Sequence, residues 1–305
     1  MSDLPTGVTR GFPLARLTTI RAGGPAELFA RPGTVAELET LLGWAEEHRI
    51  EVGVVGSGSN LLVADAGVRG LVLKLDQELS AIELDGTRIN CGGGARLPAV
   101  SARAARAGLS GIEFGVNIPG TVGGAVKMNA NAYGGELARA LHWVDVTSAA
   151  GTERRSPERL GFAYRRSALG RGEIVARAGF ALHRAPPEEV RETLADMRRR
   201  RREAQPSGIK TFGSTFKNPG DPRAEGRSAG QLLQAAGCQG LRVGGAAFSS
   251  KHANFVENLG DASTADVVEL MAAGRRRVKK QFGVELEPEV QALGPVDFPA
   301  EWGMG

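Results

Sequence analysis

The chain has 305 residues and a formal net charge of +4, and its hydrophobic and charged residues make up 42% and 24% of the sequence. These shares are close to those of globular proteins, so they exclude wholesale disorder, and the length predicts two or three domains. No apolar run approaches the roughly 18 residues that a membrane-spanning helix needs, and the N-terminus lacks a signal-peptide layout, so the sequence predicts a soluble cytoplasmic protein.

Glycine is unusually frequent, with 43 residues that concentrate in short loops between apolar segments. This distribution is typical of tight turns or of close backbone approach to a ligand. The net charge is too small to indicate a nucleic-acid-binding protein, although local clusters of arginine could bind anions. The two cysteines, Cys91 and Cys238, exclude a disulfide framework, and isolated histidines without a CxxC or HExxH motif predict no metal site.

The first part of the chain combines one helix with several strands. The sequence TVAELETLLGWAEEHR predicts an amphipathic helix in which Thr34 and Glu37 form a capping box. A buried strand at residues 52–55 runs into GSGSN, and LVLKL at residues 71–75 predicts another strand. The segments AIEL and TRINC around Asp85-Gly86 are typical of a β-hairpin.

The rest of the chain continues the alternation of helices and strands, which is typical of an α+β or α/β protein. A break at Ala185-Pro186-Pro187 precedes a charged helix, and we place the main domain boundary near Pro206, just after that helix. Strands are predicted around residues 142–147 and 174–182, and helices over 97–107, 188–204, 228–236 and 264–282.

Two glycine-rich segments carry the strongest functional signal. The sequence GSGSN at residues 56–60 follows a strand, and adjacent glycines let backbone N–H groups turn toward one anionic group. It is no Rossmann fingerprint, because Leu61 occupies the third glycine position, and it is either a ligand-contacting loop or a tight turn. Residues 115–135 combine Gly, Pro and Asn over a long stretch, which favours a backbone wrapped along an extended phosphate-bearing ligand over a plain connecting loop.

The sequences VGSGSNLLVADAGVRGLVLKL and IPGTVGGAVKMNANAYG resemble the flavin-binding segments of the UDP-N-acetylenolpyruvoylglucosamine reductase (MurB) family. The resemblance continues in the family's order through YRRS at residues 164–167, GSTFKNP at 213–219 and FGVELEPEV at 282–290. It covers nearly residues 18–293. The chain lacks the tyrosine-bearing loop of the first type of the family and is similar to the second type.

Two asparagines depart from the family pattern on the flavin segment. Asn117 and Asn131 stand where the family usually has glycine. Asparagine can hold the left-handed backbone that glycine otherwise supplies, so we expect FAD binding to be retained.

The resemblance implies an α+β flavoenzyme. It implies an FAD-binding fold of the vanillyl-alcohol-oxidase (PCMH) type in two subdomains, residues 1–73 and 74–197, followed by a C-terminal α+β substrate-binding domain, residues 198–305. The implied cofactors are non-covalent FAD and, as reductant, NADPH. The implied FAD contacts are Val55, Gly56, Ser57, Gly58, Ser59, Asn60, Leu61, Asn117, Ile118, Pro119, Gly120, Thr121, Gly123, Gly124, Ala125 and Asn129.

The implied reaction reduces the enolpyruvyl group of UDP-N-acetylglucosamine enolpyruvate to give UDP-N-acetylmuramate in peptidoglycan precursor synthesis. Negative charge builds on the substrate carboxylate, so a cation must face it and an acid must protonate the adjacent carbon. The resemblance implies Arg165 for the developing charge, Ser214 for the proton transfer and Glu289 for assistance as a hydrogen-bonding or acidic partner. No nucleic acid, membrane or obligate protein partner is implied.

The arginine run from Arg198 to Arg202 is either a solvated helix end or an anion or RNA contact. Basic residues at this place face the substrate diphosphate in the family, so the resemblance implies that Arg199 and Arg202 bind it and that the other three face solvent. The implied substrate contacts are Tyr164, Arg199, Arg202, Lys217 and Asn218.

Two alternatives to this function stay open. The first is a carbohydrate oxidase of the same FAD fold, which the lack of a histidine near GSGSN and the motifs GSTFKNP and LEPEV disfavour. The second is an arginine-rich RNA-binding protein, which would leave the glycine loops unexplained.

Overall fold

The structure is a computed structural model that describes residues 4–206 and 208–302. Its helices are α1 (Val35–Glu47), α2 (Leu97–Arg106), α3 (Val122–Lys127), α4 (Leu137–Ala140), α5 (Pro187–Ala204), α6 (Ala229–Ala235) and α7 (Thr264–Phe282). Its strands are β1 (Thr9–Pro13), β2 (Pro25–Ala30), β3 (Val52–Val54), β4 (Leu61–Val63), β5 (Val68–Leu73), β6 (Ile82–Asp85), β7 (Arg88–Gly92), β8 (Leu109–Ser110), β9 (Asn131–Ala132), β10 (Gly135–Glu136), β11 (Leu141–Ser148), β12 (Gly151–Arg155), β13 (Ile174–Ala181), β14 (His183–Arg184), β15 (Arg242–Val243), β16 (Ala246–Phe248), β17 (Val256–Asn258) and β18 (Gln291–Leu293).

The chain divides into two compact units that are discontinuous in sequence. The predicted boundary after residue 197 and the passage from one unit to the other after Arg201 lie in the same helix, α5. The division into residues 1–73, 74–197 and 198–305 stays a prediction about domain organisation. Unit 1 contains the described residues of Met1–Arg10, Leu28–Ser57 and Gly70–Arg201, and unit 2 contains those of Gly11–Glu27, Gly58–Arg69 and Arg202–Gly305.

Unit 1 is built on an antiparallel sheet with the strand order β12-β11-β13-β7-β6. The predicted hairpin around Asp85-Gly86 is the β6–β7 pair of this sheet. Ile89, Val144 and Phe180 are fully buried in a core that the sheet shares with α2 and α3. The sheet therefore gives the segments before and after its strands a rigid support.

Helix α1 of unit 1 begins where its sequence predicts. The Thr34 side chain accepts a hydrogen bond from the Glu37 N–H group, which confirms the predicted N-cap. The reciprocal bond differs, because the Glu37 carboxylate accepts from the N–H group of Gly33 at 2.7 Å. The apolar face of α1 packs with Leu71 and Leu73 of β5 in a second core.

Unit 2 contains the antiparallel sheet β15-β16-β17, on which α7 packs, together with α6 and the parallel pair β4–β18. Phe216, Phe248 and Leu270 are buried in its core. Ser263 caps the start of α7 in a capping box, and Gly283 ends the helix with φ +68°. The helix therefore ends where the sequence predicts, after residue 282.

Within the described ranges, no helix combines the length and the hydrophobicity that a membrane span requires. No three His, Cys, Asp or Glu side chains of those ranges are placed to hold a metal ion. Cys91 and Cys238 are both buried free thiols, and burial raises the pKa of Cys91 to about 12.

Candidate functional site

Residues 56–60 form the first glycine loop, which connects β3 to β4. Their N–H groups donate hydrogen bonds to no other residue of the described ranges, and the loop is partly or fully buried throughout. Gly58 has φ +64°, and a Cβ atom on it would lie 2.0 Å from the carbonyl oxygen of Leu17, so only glycine fits there. A run of partly buried N–H groups without partners is suited to binding an anion.

The second glycine loop, residues 115–135, is folded rather than extended. It contains the end of a 3-10 helix (Glu113–Asn117), helix α3 and the hairpin β9–β10. That this segment follows an extended ligand stays a prediction. Thr121 caps α3 by accepting a hydrogen bond from the Gly124 N–H group, and within the described chain the N–H groups of Gly120 and Thr121 donate to no other residue.

Gly56 of the first glycine loop lies close to Thr121 of the second, and both residues belong to unit 1. A Cβ atom on Gly56 would lie 2.5 Å from the Thr121 hydroxyl oxygen. The Lys74 ammonium donates a hydrogen bond to the Gly56 carbonyl oxygen at 2.7 Å, and burial, followed by the nearby charge of Arg31, lowers the pKa of Lys74. Unit 1 thus combines free N–H donors, at Gly56, Ser57, Gly120 and Thr121, with a positive charge at Lys74, which fits the diphosphate of FAD.

Asn129, also in the second glycine loop, offers a further atom that a ligand could contact. Its Oδ1 atom is buried without a hydrogen-bond partner among the described residues, and its φ is +39°. Its Nδ2 atom donates to Glu136 Oε1 at 2.8 Å and to the Ala163 carbonyl oxygen at 3.3 Å. A buried acceptor that the protein leaves unsatisfied is available to a donor on a bound molecule.

Arg165 lies in a tight turn of unit 1, residues 163–166. Backbone hydrogen bonds of 3.0 and 3.1 Å join Ala163 and Arg166 in both directions. Arg165 has φ +56°, a conformation that costs a residue with a Cβ atom about 1–2 kcal/mol and is concentrated at functional sites. Its guanidinium lies 5.3 Å from the Tyr164 ring centroid, and its Nη1 atom donates to Asn131 Oδ1 at 3.2 Å.

Asn131 belongs to the short hairpin β9–β10, where it pairs with Glu136. The connecting residues Tyr133 and Gly134 both have positive φ, +50° and +79°, as in the type I′ turns that fit two-residue hairpin loops. Neither Asn117 nor Asn131 has a positive φ. The expectation that these asparagines hold a left-handed backbone is therefore wrong, and both use their side chains instead.

The C-terminal end of α5 is tied to the second glycine loop at Asn117. The Asn117 Nδ2 atom donates to the Met197 carbonyl oxygen at 2.7 Å, and the Arg201 guanidinium donates to the Asn117 carbonyl oxygen. Burial lowers the pKa of Arg201. The expectation that Arg201 faces solvent is therefore wrong.

The other arginines of the run are exposed at the surface. The side chain of Arg199 is 60% exposed and pairs with Asp196. Arg202 contributes its carbonyl oxygen to a hydrogen bond from the Lys251 ammonium. The Arg199 guanidinium is accessible from solvent, and an anionic ligand would compete with Asp196 for it.

In unit 2, backbone hydrogen bonds place the segment around Ser214 beside the segment around Glu289. The Glu289 N–H group donates to the Thr215 carbonyl oxygen at 2.9 Å, and the Gly213 N–H group donates to Ser59 at 2.9 Å. The Asn60 side chain donates to the Glu289 carbonyl oxygen at 3.0 Å. Ser214, Glu289 and the second half of the first glycine loop are thus neighbours in one unit.

Asn254 fixes the Ser214 segment from the other side. Its carbonyl oxygen accepts from Thr215 N–H at 2.8 Å, and its side-chain amide makes two hydrogen bonds of 2.9 Å with the backbone of Phe216. The Thr215 hydroxyl is buried, and its oxygen has no hydrogen-bond partner within the described residues. This arrangement holds the backbone on the C-terminal side of Ser214 rigidly.

The two other candidate substrate contacts of this segment have partners in the protein. The Lys217 ammonium pairs with Glu287, and the Lys217 N–H group donates to the Glu287 carbonyl oxygen. Asn218 Oδ1 accepts from the Ala229 N–H group at 3.1 Å, at the start of α6.

The candidate residues thus fall into two groups, each of which lies within one unit. Arg165 and Tyr164 lie in unit 1 with the second glycine loop, and Ser214 and Glu289 lie in unit 2. Sequence reasoning missed the roles of Asn131, Arg201 and Asn254. Asn131 was visible as a departure from the family pattern, whereas the other two gave no local signal.

Comparison with protein families matches both parts of the chain. Residues 26–156 match the FAD binding domain, and residues 205–293 match the C-terminal domain of UDP-N-acetylenolpyruvoylglucosamine reductase. These matches confirm the predicted α+β fold with an FAD-binding part and a C-terminal domain. They also confirm FAD as the cofactor, which agrees with the fit of the glycine loops.

Individual relatives extend over nearly the whole chain. A UDP-N-acetylenolpyruvoylglucosamine reductase of Rubrobacter xylanophilus is 43% identical over 92% of this chain and 94% of its own length. The protein named UDP-N-acetylenolpyruvoylglucosamine reductase 2 of Symbiobacterium thermophilum is 44% identical over 95% of this chain and 93% of its own length. The crystal structure of UDP-N-acetylenolpyruvylglucosamine reductase (MurB) from Thermus caldophilus superposes with a TM-score of 0.81 at 40% identity, covering 96% of this chain and 99% of that one. The chain belongs to the UDP-N-acetylenolpyruvoylglucosamine reductase family.

Proposed function

We propose that this protein reduces the enolpyruvyl ether of UDP-N-acetylglucosamine enolpyruvate to the lactyl ether of UDP-N-acetylmuramate, a precursor of peptidoglycan. A hydride and a proton add across the carbon–carbon double bond, and NADPH is oxidised to NADP+. The observation that carries the proposal is the pairing of the Ser214 and Glu289 segments through the hydrogen bond from Glu289 N–H to Thr215. It brings the proposed proton donor and a carboxylate-bearing residue onto adjacent backbone.

Bound FAD supplies hydride transfer, and the two glycine loops would hold it. The free N–H groups of Gly56, Ser57, Gly120 and Thr121, all in unit 1, would donate to its diphosphate, with Lys74 as a nearby positive charge. Asn129 Oδ1 would accept a hydrogen bond from a donor on the cofactor.

Arg165 would face the negative charge that develops on the substrate carboxylate. An arginine suits this role because its charge is permanent and its donors form a rigid planar fork. The turn at residues 163–166 fixes the backbone of Arg165, so that little reorganisation is needed during the reaction.

Ser214 would give its proton to the substrate carbon, and Glu289 would assist as a hydrogen-bonding or acidic partner. A serine hydroxyl is a weak acid, but the carbanion-like centre that forms is a strong base, so the transfer is favourable in the forward direction. The bonds from Asn254 and Glu289 hold the adjoining backbone in place.

Tyr164, Arg199, Arg202, Lys217 and Asn218 are the proposed substrate contacts. The exposed guanidinium of Arg199 is suited to bind the diphosphate of the nucleotide sugar. We also propose a cytoplasmic location, because both thiols of the chain are free and NADPH is an intracellular reductant.

The Ser214→Ala variant tests the assignment of the proton donor. We expect flavin reduction by NADPH at the wild-type rate, because no proton from Ser214 is needed in that step. We expect reoxidation by the enolpyruvyl nucleotide sugar to slow by at least about 100-fold. Stopped-flow absorbance of the two half-reactions measures both rates, and mass spectrometry of the product measures the gain of two hydrogens.

The matched control is Ser250→Ala, which alters an exposed serine of the same unit. It should leave both half-reactions unchanged. Loss of both half-reactions in Ser214→Ala, or reoxidation at the wild-type rate, would contradict the assigned role of Ser214.

A further inference from the structure

The hydrogen bond between Arg165 and Asn131 involves a residue to which the family pattern assigns no role. The Arg165 Nη1 atom donates to Asn131 Oδ1 at 3.2 Å, and both residues are half-buried in unit 1. The glycine that the family usually has at this position could not accept this bond. The departure from the pattern therefore adds a partner to the proposed catalytic cation.

The amide side chain of Asn131 can orient the Arg165 guanidinium without neutralising its charge. An amide oxygen accepts a guanidinium N–H and fixes the plane of the fork, but it carries no net charge. A carboxylate in the same place would form an ion pair and reduce the positive potential that the substrate carboxylate meets. Asn131 thus adds no negative charge beside Arg165.

The hairpin β9–β10 holds Asn131 in a fixed position. Its backbone pairs with Glu136, and Glu136 accepts a hydrogen bond from Asn129. Asn129 also donates to the Ala163 carbonyl oxygen in the turn that carries Arg165. The hairpin and the turn are therefore joined by two side chains, one on the backbone of the turn and one on the guanidinium.

We propose that Asn131 is a positioning residue for the reduction, which orients the Arg165 guanidinium through its neutral amide oxygen. The inference rests on the proposed function, because it assigns Asn131 an effect only through Arg165. The proposal gives the Asn131 side chain a role. The backbone at Asn131 has no positive φ, so backbone conformation does not explain why asparagine stands where the family usually has glycine.

The test uses the FAD-loaded protein with Asn131→Ala, Asn131→Asp and Arg165→Lys, and the double variant of Asn131→Ala with Arg165→Lys. We expect Asn131→Ala to slow flavin reoxidation by the enolpyruvyl nucleotide sugar about 10-fold and to leave flavin reduction by NADPH unchanged. Asn131→Asp should slow reoxidation further, because it keeps an acceptor but adds a negative charge. In the Arg165→Lys background, Asn131→Ala should change the rate less than twofold, since the fork that it orients is already gone.

Asn90→Ala, an asparagine of β7, is the matched control and should leave both rates unchanged. Thermal melting and FAD content verify that the hairpin variants fold, and Asn131→Ser provides a second variant that retains an oxygen acceptor. The inference about Asn131 is overturned if Asn131→Ala slows reoxidation equally in the wild type and in the Arg165→Lys variant, or if it does not slow reoxidation at all. Either result leaves the proposed function intact. Wild-type reoxidation in Arg165→Lys overturns the proposed role of Arg165 and this inference with it.

Discussion

At the scale of single residues, the site depends on a few positions where a side chain, or its absence, is decisive. At Gly56 the missing Cβ atom allows the first glycine loop to approach Thr121. The Thr121 hydroxyl cannot turn away freely, because it caps α3 through the Gly124 N–H group. Arg165 shows the opposite case, a bulky residue kept in a strained conformation by the hydrogen bonds of its turn.

Gly56→Ala tests the close approach of the two glycine loops. The added methyl group would lie 2.5 Å from the Thr121 hydroxyl oxygen, so the loops must move apart. We expect the affinity for FAD to fall at least about 10-fold, because the free N–H groups of Gly56 and Ser57 are then displaced relative to those of Gly120 and Thr121. Flavin fluorescence during titration with FAD measures the affinity.

Gly43→Ala is the control for this prediction. Gly43 lies within α1, and a Cβ atom there meets no heavy atom within 4 Å. The substitution should raise the free energy of unfolding by about 0.5–1 kcal/mol and leave the FAD affinity unchanged. Equal FAD affinities of the two variants would contradict the contact at Gly56.

At the scale of elements, an ion pair closes the loop that bears Arg165. Arg155 ends β12, and Glu173 immediately precedes β13, with β11 between the two strands. Arg155 Nη2 donates to Glu173 Oε1 at 2.6 Å, and the Gly170 N–H group donates to Glu173 Oε2 at 2.7 Å. The side chains are only 20% and 22% exposed, so solvent screens the pair less than a surface ion pair.

Glu173→Gln should therefore destabilise unit 1 in a manner that depends on pH. The hydrogen bond from Arg155 lowers the pKa of Glu173 below its ordinary value of 4.5. A carboxylate with a depressed pKa in the folded state contributes stability above pH 4.5, and this contribution is lost as the pH falls through the folded-state pKa. We expect the variant to lose about 1–2 kcal/mol at pH 7 and to approach the wild type in acid.

Urea unfolding at a series of pH values measures this difference. Glu47→Gln, an exposed glutamate on α1, is the matched control and should show no such dependence. A deficit of Glu173→Gln that is the same at pH 7 and at pH 3 would show that the ion pair does not stabilise the loop.

At the scale of the whole molecule, local sequence predicted most elements but few of the contacts that build the site. The cap at Thr34 and the end of α7 after Phe282 are set within one turn of a helix, so the sequence alone predicts them. The turns of the second glycine loop depend on its packing, for example of Gly135 against Phe114, where a Cβ atom would lie 2.5 Å from the ring.

The partners of the candidate residues lie far away in sequence, and no local pattern reveals them. Asn131 meets Arg165 across 34 positions, and Arg201 meets Asn117 across 84. Arg201 belongs to a run of five arginines. What distinguishes it is the hydrogen bond that it donates to the Asn117 carbonyl oxygen, which belongs to a distant segment. The family resemblance supplied the candidate residues, and the fold shows which contacts several of them make within their own unit.

The most direct test of the proposed function is the visible absorption spectrum of the purified protein, before and after anaerobic addition of NADPH. We predict a flavin spectrum that NADPH bleaches and that returns when UDP-N-acetylglucosamine enolpyruvate is added without oxygen. Recovery with oxygen but not with the nucleotide sugar would contradict the reductase and indicate an oxidase. A colourless protein that takes up no added FAD would contradict the assignment of the glycine loops themselves.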